Sequence, residues 1–307
     1  MCNNWSINLS CICFLNHIHV INNICEGVGS MSVENGFKTV TFYIDKGGSA
    51  KTTNTFNYVK DAVSTRNIKA LVIDGDRSRN LTNVFGVNGD KTIADLFKSD
   101  GEDFAIYPTS DPRIDIIVGD SDFTDEGVNI RGASSPYLVL FTWYSMNYQM
   151  LSEKYDLIVI DTHNDTSIVT SNLIAVSDIV VSVTTPDGPS FTAWRNLPEF
   201  IEKVKTKARN PFTKETVVDL KLGLIANNII FYGNNVSAPS KEFLSLVEND
   251  EHFLGLIPNR PIFVSTLLEG KSIFELVDEM PIHKQQKYQN LLAGVRGIYA
   301  KINAMLE

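Results

Sequence analysis

Apolar positions along the chain follow two alternating periods. Short runs rich in Val and Ile recur at residues 38–45 (KTVTFYID), 69–76 (KALVIDGD), 114–119 (IDIIVG), 155–161 (YDLIVID), 178–185 (DIVVSVTT) and 220–227 (LKLGLIAN). Several are nearly continuous in apolar residues, as strands covered on both faces must be. Between them lie stretches with helical spacing: TTNTFNYVKDAVSTR, KTIADLF, SPYLVLFTWYSMNYQMLSEK and SFTAWRNLPEFIEKVKTKA, and HKQQKYQNLLAGVRGIYAKINAML closes the chain. Repeated strand-helix-strand units predict an α/β fold: a doubly wound, mainly parallel sheet flanked by helices on both faces, with ligands outside the carboxyl ends of its strands. No internal repeat, low-complexity linker or composition break follows Met31, so residues 31–307 are expected to form a single domain.

The first thirty residues read differently. All four cysteines (Cys2, Cys11, Cys13 and Cys25) fall there, and the first Lys or Arg is Lys38. A secretory signal needs a basic region before its apolar stretch, and this segment has none. Cys11, Cys13, His17 and His19 lack the C-x2-4-C and H-x3-5-H spacing of zinc sites. Residues 1–30 are expected to be either a poorly ordered tail or a stretch not translated natively, with the start at Met31. The chain from Met31 onward is free of cysteine, which removes disulfides, iron-sulfur ligation and thiol catalysis.

Composition narrows the classes further. An apolar content of 43% with 21% charged residues suits a globular protein with a sizeable core. The formal charge of -9 excludes a surface that is basic all round, so any nucleic-acid contact must come from a local patch. No apolar run approaches the roughly 20 residues of a membrane helix, and a cytoplasmic protein is expected.

The chemistry concentrates at strand ends. DKGGSAKTT (45–53) follows a strand and opens a helix, where backbone N–H groups and the helix N-terminus can surround phosphate oxygens. Lys51 would reach the β and γ phosphates, and the hydroxyl of Thr52 would ligate Mg²⁺. The competing reading is a Gly-rich turn before a capped helix. VIDGDRSRNLT (72–82) ends a strand with Asp74 and Asp76, and LIVIDTHND (157–165) ends another with Asp161. Singly, each could cap a helix or start a turn. Together they place three carboxylates at the edge that carries the loop, where one can hold Mg²⁺ through its waters and another can orient the attacking water.

These stretches carry a resemblance. KGGSAKTTNTFN is similar to the deviant Walker A loop KGGxGKTTxxxN of the ParA/MinD group of P-loop ATPases. IDGDRSRNLT resembles that group's IDxDPQxNLT, and YDLIVIDTHND resembles its YDxIIIDTPP. GLIANN (223–228) is similar to the GVVxN strand end, and LGLIPNRPIFVSTLLEGKSIFEL (254–276) to IPRxxxxxEAxxxGxPIxEY. The resemblance runs from about Phe37 to the C-terminus, with five motifs in the group's order, and is closest to short partition ATPases of plasmids or chromosomes.

The resemblance implies roles. Gly47, Gly48, Ser49, Ala50, Lys51, Thr52 and Thr53 would surround the phosphates of ATP; Asn227 would contact adenine and Pro258 flank it. Thr52 would bind Mg²⁺, with Asp74 and Asp161 in the metal's surroundings, and Asp76 would serve the hydrolytic water. Lys46 would reach across a nucleotide-sandwich homodimer to the partner's phosphates, as an added cation acts on developing phosphate charge; on its own it could equally be an exposed surface lysine. Partition ATPases of this group bind double-stranded DNA without sequence preference as ATP-bound dimers, are then nucleoid-associated, and are released when a ParB-like centromere-binding protein stimulates slow hydrolysis.

The sequence also departs from the pattern. Ala50 replaces Gly, Arg77 and Ser78 replace Pro-Gln, and His163 and Asn164 replace Pro-Pro. If position 50 needs left-handed backbone, its Cβ costs about 1–2 kcal/mol, or roughly tenfold in affinity. Weakened or slow hydrolysis is expected, with His163 as a polar switch-loop residue and a proton relay as the alternative. For DNA, Arg195, Lys203, Lys205, Lys207 and Arg209 lie on or just after one predicted helix and could contact phosphates; a solvated charged face is the alternative. A MinD-like membrane-positioning ATPase is the competing function, since the final helix is amphipathic and could lie on lipid. Its stripe of Tyr288, Leu291, Leu292, Val295, Ile298, Tyr299 and Ile302 is expected instead to pack on the sheet, with no stable membrane association. A third reading is a nucleotide-binding regulator without hydrolysis. The short stretch before the loop is expected to leave no room for an operator-binding helix-turn-helix domain.

Overall fold

The computed structural model describes residues 36–99, 101–210 and 213–307. The cysteine-bearing tail and the start at Met31 lie outside the described residues. The chain runs β1 (Lys38–Phe42), α1 (Lys51–Arg66), β2 (Ala70–Gly75), α2 (Asn80–Phe85), α3 (Ile93–Lys98), β3 (Tyr107–Pro108), β4 (Ile114–Ile117), α4 (Val139–Lys154), β5 (Leu157–Thr162), α5 (Ile168–Ala175), β6 (Ile179–Thr184) and α6 (Gly188–Lys207). It continues through β7 (Lys221–Ile229), a small hairpin of β8 (Phe231–Tyr232) and β9 (Asn235–Val236), α7 (Ala238–Val247), β10 (Phe253–Pro258), α8 (Ile262–Glu269), α9 (Ile273–Asp278), α10 (Ile282–Gln285) and α11 (Gln289–Met305).

Eight strands form one sheet in the order β10-β7-β6-β1-β5-β2-β4-β3. Every pairing is parallel except that of the two-residue β3 with β4. The expected doubly wound α/β fold is therefore present, and all six strands expected from the sequence belong to it. Alternation sends Val40, Phe42, Val72, Val159 and Val181 to one face, where α1, α8, α9 and α11 cover them. Leu71, Ile73, Ile158 and Ile160 point to the other, under α3, α4 and α5. Farther along that face α6 and α7 cover Val180 and Leu224. Central strands buried on both sides explain the continuous apolar runs.

The last helix has its apolar face occupied. Leu292, Val295, Ile298, Tyr299 and Ile302 are buried in the core, and each such side chain contributes about 1.5–3 kcal/mol on burial. Tyr288 and Leu291 pack partly buried against the same cluster. The stripe is thus taken up by the sheet. Among the described residues no helix is long and apolar enough to cross a membrane.

Candidate functional site

The switch of strand order around β1 brings the carboxyl ends of β1, β2 and β5 side by side. The loop of residues 45–50 leaves β1 and enters α1 at Lys51. Gly48 and Ala50 are both left-handed, with φ of 76° and 68°. A Cβ on Gly48 would meet nothing within 4 Å, so conformation alone asks for glycine there. Ala50 holds the same backbone region with a Cβ, which costs about 1–2 kcal/mol. Two amides brace the loop: Asn54 Nδ2 donates to the Ala50 carbonyl and Asn227 Nδ2, from β7, to the Ser49 carbonyl, each at 2.9 Å. Helix α1 begins with no side-chain cap, which leaves its first N–H groups to a ligand or water.

Two polar groups in this cradle are buried yet unspent. Ser49 is 1% exposed and its Oγ has no hydrogen-bond partner among the described residues. Lys51 is 6% exposed and makes no ion pair among the described residues. Burial pushes the Lys51 ammonium below its ordinary range, while Asp161, Asp76, Asp45 and Asp165 pull it back up. A desolvated cation without a direct counter-ion is arranged for an anion that arrives from outside.

The carboxylates have distinct environments. Asp74 and Asp161 are register partners on β2 and β5, and both are fully buried. Burial raises Asp161 to about 7, helped by the charge of Asp74 and opposed by Thr52 and Lys51. Burial raises Asp74 to about 6, against hydrogen bonds from Thr82 and Asp76. Thr52 Oγ1 donates to Asp161 Oδ2 at 2.5 Å, and Thr55 Oγ1 to Oδ1 at 3.2 Å. Asp74 Oδ2 accepts both the N–H and the hydroxyl of Thr82 at 2.7 Å, so this carboxylate anchors the loop into α2. Gly119 approaches it so closely that a Cβ would sit 2.9 Å from the carboxyl carbon.

Asp76 is less deeply buried, at the edge of the loop after β2. Burial raises its pKa, but the Ser78 N–H, the Ser78 hydroxyl and His163 together hold it below the usual carboxylate range. Among the described residues no group of three or more His, Cys, Asp or Glu side chains could hold a metal. Magnesium in nucleotide sites keeps its waters and takes one or two protein ligands plus phosphate oxygens. The Thr52 hydroxyl backed by Asp161 fits that demand.

The other candidates from the sequence occupy more varied positions. Lys46 curls onto its own loop, Nζ donating to the Gly47 carbonyl at 2.8 Å. Thr53 lies in the first turn of α1. Pro258 pairs in register with Ile229, two residues beyond Asn227. Arg195, Lys203, Lys205 and Lys207 sit on α6, and Arg209 follows it. Lys203 pairs with Glu199 at 2.8 Å and Lys205 with Glu202 at 2.9 Å. Five cations and two carboxylates leave that segment three net positive charges.

Several contributors escaped the sequence reading. Thr55, Ser78 and Thr82 supply hydroxyls to Asp161, Asp76 and Asp74. For Ser78 and Thr82 the available signal is a hydroxyl residue a few positions after a strand-end Asp; Thr55 is 106 residues from Asp161 and has no local signal. Asn57 receives the Ile273 N–H at 2.8 Å and so ties α1 to α9. Tyr43, Asp45, Thr166, Pro189 and Phe200 line a cleft of about 440 Å³ beside the loop.

A left-handed loop between β1 and α1, a buried lysine without an ion pair among the described residues and strand-end aspartates on a parallel sheet match the fold of P-loop NTPases. The family model described as an AAA domain (AAA_31) matches residues 37–214. The chain belongs to that family, and its fold is of the ParA/MinD type. It is 26% identical over 170 residues to a virulence plasmid ParA family protein, pGP5-D, of Chlamydia psittaci, a match covering 54% of this chain and 64% of the relative. The chain thus spans under two thirds of that protein's length. Its fold matches an ATP complex of McdA from Cyanothece with a TM-score of 0.71 at 18% identity, over 88% of this chain and 97% of that one. A plasmid partition protein from Borrelia burgdorferi gives 0.59 at 20% identity, over 80% of this chain and all of that one.

Proposed function

We propose that this chain is a partition ATPase: residues 31–307 act as one domain, bind ATP-Mg²⁺, close as a sandwich homodimer, and in that state hold double-stranded DNA without sequence preference. The observation that carries this reading is Lys51, buried and without an ion pair among the described residues, in a left-handed loop at the uncapped start of α1. Lys51 and the loop N–H groups take the phosphates, and Lys46 exchanges its Gly47 carbonyl for the partner's phosphates. Asn227, which also braces the loop through the Ser49 carbonyl, and Pro258 are assigned to the base. The Thr52 hydroxyl, backed by Asp161, would hold magnesium, which would supply charge neutralisation of the phosphate oxygens.

Asp76 orients the water, and no strong general base is present, so turnover is slow and suits a timed release by a centromere-binding partner of ParB type. The three net positive charges of α6 and its continuation form the DNA face, doubled in the dimer. Such a protein works in the cytoplasm, on the nucleoid when ATP is bound. The burial of the α11 stripe argues against the membrane-positioning alternative.

The test is co-sedimentation of the full chain with DNA and with anionic liposomes, under ATP, ADP or no nucleotide, for the native protein, Lys46→Ala and Lys51→Ala. Retention on DNA with ATP alone, lost in both variants, is expected. ATP-dependent retention on liposomes instead would replace this reading with the membrane one.

A further inference from the structure

Two departures from the sequence pattern meet in space. Arg77 follows Asp76 beyond β2, and His163 directly follows β5; the resembling motifs place proline at both positions. Here the Arg77 guanidinium contacts His163 Nε2, and His163 Nδ1 lies 3.1 Å from Asp76 Oδ1. A guanidinium can only donate and an ionised carboxylate can only accept. One form of the ring satisfies both neighbours: neutral imidazole, with the proton on Nδ1 and the lone pair of Nε2 facing Arg77.

The result for Asp76 is an asymmetric carboxylate. Its Oδ1 accepts the Ser78 N–H at 2.9 Å, the Ser78 hydroxyl at 2.7 Å and the His163 ring. Its Oδ2 has no hydrogen-bond partner among the described residues, although the side chain is only 12% exposed. Oδ1 is saturated and fixes the plane of the group; Oδ2 remains the acceptor open to a water.

We propose that Arg77 and His163 form a positioning relay across the ends of β2 and β5, which locks the Asp76 carboxylate so that Oδ2 alone faces the hydrolytic water. His163 is a positioning residue, not a catalytic one. Proline at either position would remove a link, so the relay belongs to this chain's own solution. It also gives the two loops one shared contact, through which a rearrangement of either loop is felt at Asp76. The relay rests on the ATPase reading above.

Replacing one supporting partner of a functional ligand costs about 10–100-fold in function. For His163→Ala, single-turnover hydrolysis should slow by about tenfold, while ATP affinity and KM stay within about twofold. His163→Asn keeps an N–H near the carboxylate and should recover most of the rate. Arg77→Ala should slow the step less, and the double variant should be no worse than His163→Ala, because the arginine acts through the ring. Independently of activity, long-range ¹H–¹⁵N spectra of the full chain without nucleotide should show His163 protonated on Nδ1 and bare on Nε2. An unchanged rate in His163→Ala, multiplying effects in the double variant, or an Nε2-protonated ring would each overturn the relay. Absence of ATP binding by the native chain would instead remove the ATPase reading, and the relay with it.

Discussion

The edge of the sheet and the helix α6 both carry lysines, and they use them in opposite ways. At the edge, Lys51 is nearly buried, has no ion pair among the described residues, and faces aspartates that stand on different strands and loops. On α6, Lys203 and Lys205 are matched to Glu199 and Glu202 of the same helix. Exposed pairs of that kind contribute little to stability and exchange readily with solvent. The first arrangement is costly for the empty protein and makes sense only with a ligand. The second is comfortable without one, so whatever DNA affinity it has must be modest per subunit and gained by doubling.

The comparison can be broken most sharply at Lys51. Lys51→Ala should weaken ATP binding by about 100-fold, since a charge-assisted bond to phosphate contributes up to about 3 kcal/mol; fluorescence titration with a labelled nucleotide reads this directly. On α6 the corresponding change is smaller. Lys207→Glu combined with Arg209→Glu should lower the ATP-dependent DNA affinity by about tenfold and flatten its salt dependence, because each lost phosphate contact removes about 0.9 from the log-log slope. Lys203→Ala should change DNA affinity by less than about twofold, as its charge is already matched by Glu199. If Lys203→Ala and the double substitution act alike, the pairing on α6 has no bearing on binding.

The buried carboxylates give a pH signature. Asp161, raised to about 7 by burial and by Asp74, binds its proton more tightly folded than unfolded. The folded state therefore holds the extra proton between the unfolded pKa, about 3.9, and about 7. Stability of the nucleotide-free protein should fall as pH rises through that window. Melting temperatures from pH 5 to 8 should show this decline, and Asp161→Asn should flatten it above about pH 6, where Asp74, itself raised to about 6, no longer contributes. A decline of equal slope in the variant would assign the effect elsewhere. The smallest expected change is Ala50→Gly, which relieves left-handed strain of about 1 kcal/mol and should raise the melting temperature by a few degrees.

Much of this is legible in the sequence, for a physical reason. Central parallel strands must be apolar on both faces, so β1, β2, β4, β5, β6 and β7 stand out as runs of Val and Ile. The loop and the three aspartates follow from strand ends. Some of the elements that escape lack a contrasting face. Helix α5 is buried along its whole length, so it offers no amphipathic period. The edge strand β10 is only partly buried and reads as broken. Position 50 meets the left-handed condition that its alanine made costly, because a phosphate loop must turn its N–H groups inward whatever residue stands there. The contact between Arg77 and His163, 86 residues apart in sequence, has no local signal.

The most direct test of the account is the mass of the full chain in sedimentation velocity, at saturating ATP-Mg²⁺ and with ADP as control, using a hydrolysis-slowed Asp76→Asn background. A species of twice the monomer mass is expected with ATP, and a monomer with ADP. A monomer under both conditions at high protein concentration would contradict it.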